Sequence, residues 1–197
     1  MNLLWNASVV CKRTICCENL QQRFQAIVDF RYRIWYDSDQ TNPFRQGGII
    51  MKTLVIYFSA EFGKTRKIAE ELAAVKGADL YEIKPQQPYS AADMKWTNPL
   101  ARCNKEKFGK KDVPVAGTMD QWDEYDTIYL GFPIWYYGAP NVVNTFCKGY
   151  DWNGKTLHIF ATSGSSGIGK TAEKLKPYIK GANIASATRV TAVSEIA

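Results

Sequence analysis

The chain has 197 residues, 46 % of them apolar and 22 % charged, enough for one well-filled core of ordinary globular composition. No apolar run approaches the roughly 20 residues of a membrane helix, and five cysteines without a CxxC pair argue against a disulfide framework or a zinc site. The net charge of +6 divides into +2 over residues 1–50 and +4 over 51–197, a mild basic bias with no stripe to suggest nucleic acid.

Residues 1–50 show no sustained period of 2 or 3.6 and end in a polar, breaker-rich stretch from Asp37 to Gly48. Leu3-Leu4-Trp5 is too short for a secretory core and no positive charge precedes it. Gly47-Gly48 can be encoded by a purine-rich ribosome-binding sequence, with Ile49-Ile50 as spacer before the ATG of Met51. The reading is an irregular extension over 1–50, translated from a start codon placed too early, and one domain over 51–197. Unpaired thiols suit a reducing cytoplasm.

From Met51 the pattern becomes orderly. Thr53–Phe58 is a compact β-branched and aromatic run, expected of a parallel strand covered on both faces. A loop from Ser59 leads into a helix with Ile68, Leu72 and Val75 on one face, stopped by Gly77. Asp79–Ile83 is the second strand. The stretch 86–118 is polar and interrupted, with one helix between Pro99 and Phe108 and with Cys103 expected at the surface. Thr127–Gly131 is the third strand, and Pro140 opens a helix carrying Val142, Val143, Phe146 and Tyr150 on its apolar face. Lys155–Ala161 is the fourth strand, followed by a glycine-serine loop and a helix to about Lys176. Asn183–Val190 is the fifth. Alternating strands and helices imply right-handed crossovers and an open parallel sheet.

In such sheets ligands bind beyond the carboxyl ends of the strands, where strand order reverses. Three loops lie there. Ser59, Ala60, Glu61, Phe62, Gly63, Lys64 and Thr65 run from a strand into a helix start, offering small residues, hydroxyls and helix amides to an anion. Pro133, Ile134, Trp135, Tyr136, Tyr137 and Gly138 place three aromatics in one loop, a stacking wall for a flat ring or an oligomer contact. Thr162, Ser163, Gly164 and Ser165 offer hydroxyls and amides to the polar edge of a heterocycle.

Residues 51–190 resemble a short-chain flavodoxin through Tyr57-Phe58-Ser59-Ala60, the segment Gly131-Phe-Pro-Ile-Trp-Tyr136 and the segment Ala161-Thr-Ser-Gly164. The resemblance implies an α/β three-layer sandwich, a five-stranded parallel sheet of order 2-1-3-4-5, and FMN across its carboxyl edge. Ser59 through Thr65 would hold the phosphate, Pro133 to Gly138 would flank the isoalloxazine, and Thr162 to Ser165 would border its other side. It also implies electron transfer, either as a carrier between redox partner proteins or as an NAD(P)H-dependent reductase of a quinone-like acceptor. Two departures stand out. Carrier flavodoxins are commonly acidic whereas this chain is basic, and the chain stops at what reads as the first turn of a final helix, Ser194–Ala197. Loss of that helix predicts apolar surface left open on the edge strand.

Rival motifs are weaker. Gly164–Thr171 matches the phosphate-binding pattern GxxxxGK[ST], but Asn183–Val190 ends in no acidic residue to hold magnesium. His158, mid-strand, reads as a packed imidazole and Cys147 as core.

Overall fold

A computed structural model describes residues 52–60 and 63–196. The expected extension over 1–50, and Glu61 and Phe62 of the first loop, lie outside the described residues. Among the described residues seven strands form: β1 Lys52–Tyr57, β2 Asp79–Glu82, β3 Lys84–Pro85, β4 Val115–Ala116, β5 Tyr125–Pro133, β6 Thr156–Thr162 and β7 Asn183–Arg189. The helices are α1 Lys64–Lys76, α2 Arg102–Phe108, α3 Asn141–Lys148 and α4 Thr171–Leu175. Five strands make one parallel sheet in the order β2-β1-β5-β6-β7, which is the expected 2-1-3-4-5, and β3 and β4 form a small antiparallel pair. No helix among the described residues is long and apolar enough to cross a membrane.

Alternation along the central strands explains the layering. Leu54, Ile56 and Phe58 of the first strand segment, Ile128, Leu130 and Phe132 of β5, and Leu157, Ile159 and Ala161 of β6 share the larger core. That core is closed by Val142, Val143, Phe146 and Cys147 of α3, with Trp122 and Trp152 filling its base. The intervening Val55, Tyr57, Tyr129 and Phe160 face a smaller core under Ile68, Ala69, Leu72 and Ala73 of α1. Both faces are therefore apolar in the middle, as the continuous runs in the sequence require. Register places Gly131 beside Phe160, whose ring crosses it so closely that a Cβ there would lie 2.1 Å from Cζ. Only glycine fits at that point.

Three expectations need correction. Val75 is 61 % exposed, because α1 turns it past the edge of the smaller core. Cys103 is 4 % exposed: α2 packs its first turn inward against the aromatic loop. The fourth helix, Thr171–Leu175, does end within a residue of the expected Lys176, passing into the 3-10 turn Lys176–Tyr178 at Pro177. The edge strand leaves little apolar surface open, since Ile184 and Ala187 pack on the larger core. On its other face Ser186 pairs with His158 Nδ1 at 2.8 Å, and that imidazole stacks on Tyr129. After β7 the chain makes a 3-10 turn, Val193–Glu195, with Val193 and Ile196 against the smaller core.

Candidate functional site

The reversal of strand order falls between β1 and β5, and the loops after β1, β5 and β6 emerge side by side at that carboxyl edge. Thr162 ties all three together. Its Oγ1 lies 2.8 Å from Thr65 Oγ1 on the first turn of α1, and its carbonyl accepts the Ile134 amide at 2.8 Å. Both hydroxyls are buried, so neither can exchange its partner for water without cost.

The first loop turns into α1 at Gly63, whose φ of 61° is the left-handed conformation that favours glycine. The N-cap glycine of this 13-residue helix has no side chain to offer, and the Arg66 amide of the first turn donates instead to Ser59 Oγ at 3.3 Å. The first-turn amides have no carbonyl one turn back within the helix, and they open on the loop that carries Ser59. The first turn also holds Lys64, Arg66 and Lys67 and no acidic residue. Cations are misplaced at the positive end of a helix dipole unless an anion sits there. Arg66 is partly drawn away, donating to Tyr57 Oη at 3.2 Å and pairing with Glu82 at 2.5 Å, which leaves Lys64 and Lys67 exposed at that end.

The second loop is a tight hairpin. Trp135 and Gly138 exchange backbone hydrogen bonds of 2.9 and 3.1 Å, so Tyr136 and Tyr137 occupy the two central positions at φ 50° and 60°. A two-residue turn of this kind normally takes Asn-Gly, and two tyrosines there store strain of about 1–3 kcal/mol each. Neighbouring contacts hold the strain in place. Trp135 meets Phe58 and Tyr89 edge-on, with ring centroids 5.8 and 5.4 Å apart. Tyr136 donates to Asn104 Oδ1, stands 3.6 Å from Cys103 Sγ, and packs on Phe108. Only Tyr137 is open, at 72 % exposure. Burial, then the Cys103 hydrogen bond, pushes the Tyr136 phenol up to about 12.

The third loop folds on itself. Ser163 Oγ accepts the Ser166 amide at 2.9 Å, while Gly164 and Ser165 stay exposed. Pro133, the last residue of β5, pairs in register with Thr162, and Ile134 rests on the larger core. The described first-loop residues and the whole of the other two loops thus converge on one edge. The rival phosphate motif converges less well, since Thr171, its terminal hydroxyl, is wholly buried at the start of a five-residue helix. Among the described residues no three His, Cys, Asp or Glu side chains cluster as metal ligands.

Sequence reading missed the segment that braces the aromatic loop. Tyr89 donates to Glu106 Oε2 at 2.6 Å, Arg102 pairs with Glu106 at 2.5 Å, and its guanidinium lies 4.3 Å from the Tyr89 ring centroid. Burial and then the Glu106 bond hold the Tyr89 phenol far above its ordinary value. Asn141 donates to the carbonyls of Glu106 and Lys111, fastening α3 to the same segment. Arg102 and Glu106 at i, i+4 on the helix expected between Pro99 and Phe108 were the one available signal. Trp96, in the same polar segment, is exposed as an ordinary surface loop would leave it.

Known proteins agree with this architecture. A flavoprotein from Bacteroides eggerthii DSM 20697 is 38 % identical, with 71 % of this chain and 88 % of that one covered and a TM-score of 0.66. One from Bacteroides uniformis ATCC 8492 is 36 % identical, covering 74 % and 94 %, with a TM-score of 0.67. A flavoprotein from Lactobacillus acidophilus NCFM, solved in complex with FMN, shares the fold at 24 % identity, coverage of 71 % and 93 %, and a TM-score of 0.56. Among the curated proteins none matches the chain. The family profile described as Flavodoxin matches residues 52–193, and the chain therefore belongs to the flavodoxin family.

Proposed function

We propose that this protein transfers electrons with FMN as its bound cofactor. The observation that carries the reading is Thr162, whose side chain and carbonyl join the turn after β1 to the turn after β5. Bound FMN would place its phosphate at the start of α1, where the first-turn amides and the Ser59 and Thr65 hydroxyls would hold it and the cations gathered there would be neutralised. The fit is good, because a helix start that gathers Lys64, Arg66 and Lys67 and no acidic residue is otherwise electrostatically unfavourable. The hairpin Trp135–Gly138 flanks the ring, and Thr162 to Ser165 border it with hydroxyls and amides. FMN supplies the redox chemistry, while the protein fixes its position and polarity. The aromatic, weakly polar surround around Trp135 disfavours added negative charge on the ring.

The role favoured is a carrier that exchanges electrons with partner proteins. A second reading is an enzyme that takes hydride from NAD(P)H and reduces a quinone-like acceptor. The exposed Tyr137 beside the basic Lys174 favours keeping it, since that face suits an anionic small molecule better than a basic reductase surface. Stopped-flow mixing of the FMN-loaded protein with NADPH separates them. A carrier keeps its flavin absorbance until a reductase is added, whereas bleaching within seconds without one establishes the enzyme.

A further inference from the structure

A cleft of about 290 Å³ opens beside the aromatic hairpin and shares Gly138 with it. Four lysines and one aspartate reach it from α2, the loop after it, α3 and α4. Asp112 is already paired with Lys148 at 2.5 Å. Lys107, Lys110 and Lys174 make no ion pair with any described carboxylate, so three ammonium groups face one hollow without a counter-charge. Gly138 forms its floor: a Cβ added there would lie 3.4 Å from Lys174 Cδ and 3.5 Å from Lys107 Nζ. Lys107 is half-buried, and burial followed by the Lys174 charge holds its ammonium below the ordinary lysine range. Like charges gathered in a partly dry hollow cost free energy, and an anion of matching charge removes that cost.

The hollow is concave, which suits a compact polyanion better than a flat protein surface. At its rim Lys174 Nζ lies over the Tyr137 ring, 5.9 Å from its centroid, and the side chain is otherwise exposed, leaving aromatic surface on which a flat base can stack. We propose that this cleft binds the diphosphate of a soluble nucleotide through Lys107, Lys110 and Lys174, with the base on Tyr137. Asn144 and Tyr178, also in the lining, add neutral donors. The inference deepens the second functional reading by naming where its reductant docks, but the binding itself does not depend on FMN.

The test is isothermal titration of the full chain, FMN-loaded so that the phosphate turn of α1 is filled, with inorganic pyrophosphate and with ADP. Both are expected to bind at submillimolar concentration, ADP more tightly. The double variant Lys107→Gln/Lys174→Gln is expected to weaken both by tenfold or more while its flavin absorbance is unchanged. Tyr137→Ala is expected to weaken ADP at least threefold and leave pyrophosphate alone. No pyrophosphate binding below 10 mM, or binding indifferent to the lysine variant, overturns the site. ADP binding no tighter than pyrophosphate overturns the nucleotide assignment. Should the chain take no FMN, the same titration on the unloaded protein still reads the cleft through the lysine variant, so the two failures remain distinct.

Discussion

The turn after β1 and the hairpin after β5 border the same edge of the sheet but are built in opposite ways. The first is the more open: a glycine start, a first helical turn with exposed Lys64 and Lys67 and no acidic residue, and only Ser59 Oγ on one of its amides. The second is closed by its neighbours, with Trp135 against Tyr89 and Phe58 and Tyr136 against Asn104, Cys103 and Phe108. One recognises through backbone that any similar loop could present. The other depends on distant residues that hold a strained conformation, so the two should respond differently to mutation.

The largest expected effect breaks the brace. Glu106→Ala removes the acceptor of Tyr89 and the partner of Arg102 in a largely buried setting, and should cost about 2 kcal/mol. Urea unfolding measures this directly, and a cost below about 0.5 kcal/mol would mean that the hairpin needs no such support. Next is the link between the turns. Thr65→Val leaves the buried Thr162 hydroxyl without its partner, and the FMN dissociation constant should rise about tenfold, or about 1.4 kcal/mol. Fluorescence titration reads it. If the affinity is unchanged, the open turn does not need Thr162.

Smaller effects sharpen the contrast. Tyr137→Gly relieves a left-handed tyrosine whose ring is exposed, and should raise stability by about 0.5–1 kcal/mol, against the usual loss on placing glycine in a loop. Thermal melting would contradict the strain argument if the variant melted lower. His158, mid-strand on the other face, serves as a control. Burial, then the Lys76 charge, lowers its folded pKa, so below about 6.5 the unfolded chain binds more protons. Stability should therefore decline as pH falls from about 6.5 through the folded value. His158→Asn should flatten that slope in pH-dependent urea melts without altering FMN affinity.

The same contrast separates what sequence reading could reach from what it could not. Central strands announce themselves as continuous apolar runs, because both of their faces are covered; β1, β5 and β6 were found within two residues at each end. The loops were found as breaks between those runs, and strand order at the edge follows from right-handed crossovers once the resemblance is in hand. Side-chain partners do not follow from local pattern. Nothing around Tyr89 signals Trp135, which lies 46 positions on, and the polar composition of 86–118 hides the inward faces of Cys103, Asn104 and Glu106. Val75 fits the helical period of α1, yet the smaller core ends before reaching it. Positive φ at Tyr136 and Tyr137 is likewise invisible, since turn chemistry alone would put glycine or asparagine there.

The central claim is that the turns joined at Thr162 form a slot for one flavin mononucleotide. Titrating the unloaded full-length protein with FMN while following flavin fluorescence tests it most directly. Quenching that saturates at one equivalent, with micromolar or tighter affinity and a yellow protein, is the expected result. A preparation that stays colourless and leaves the fluorescence of micromolar FMN unchanged would contradict it.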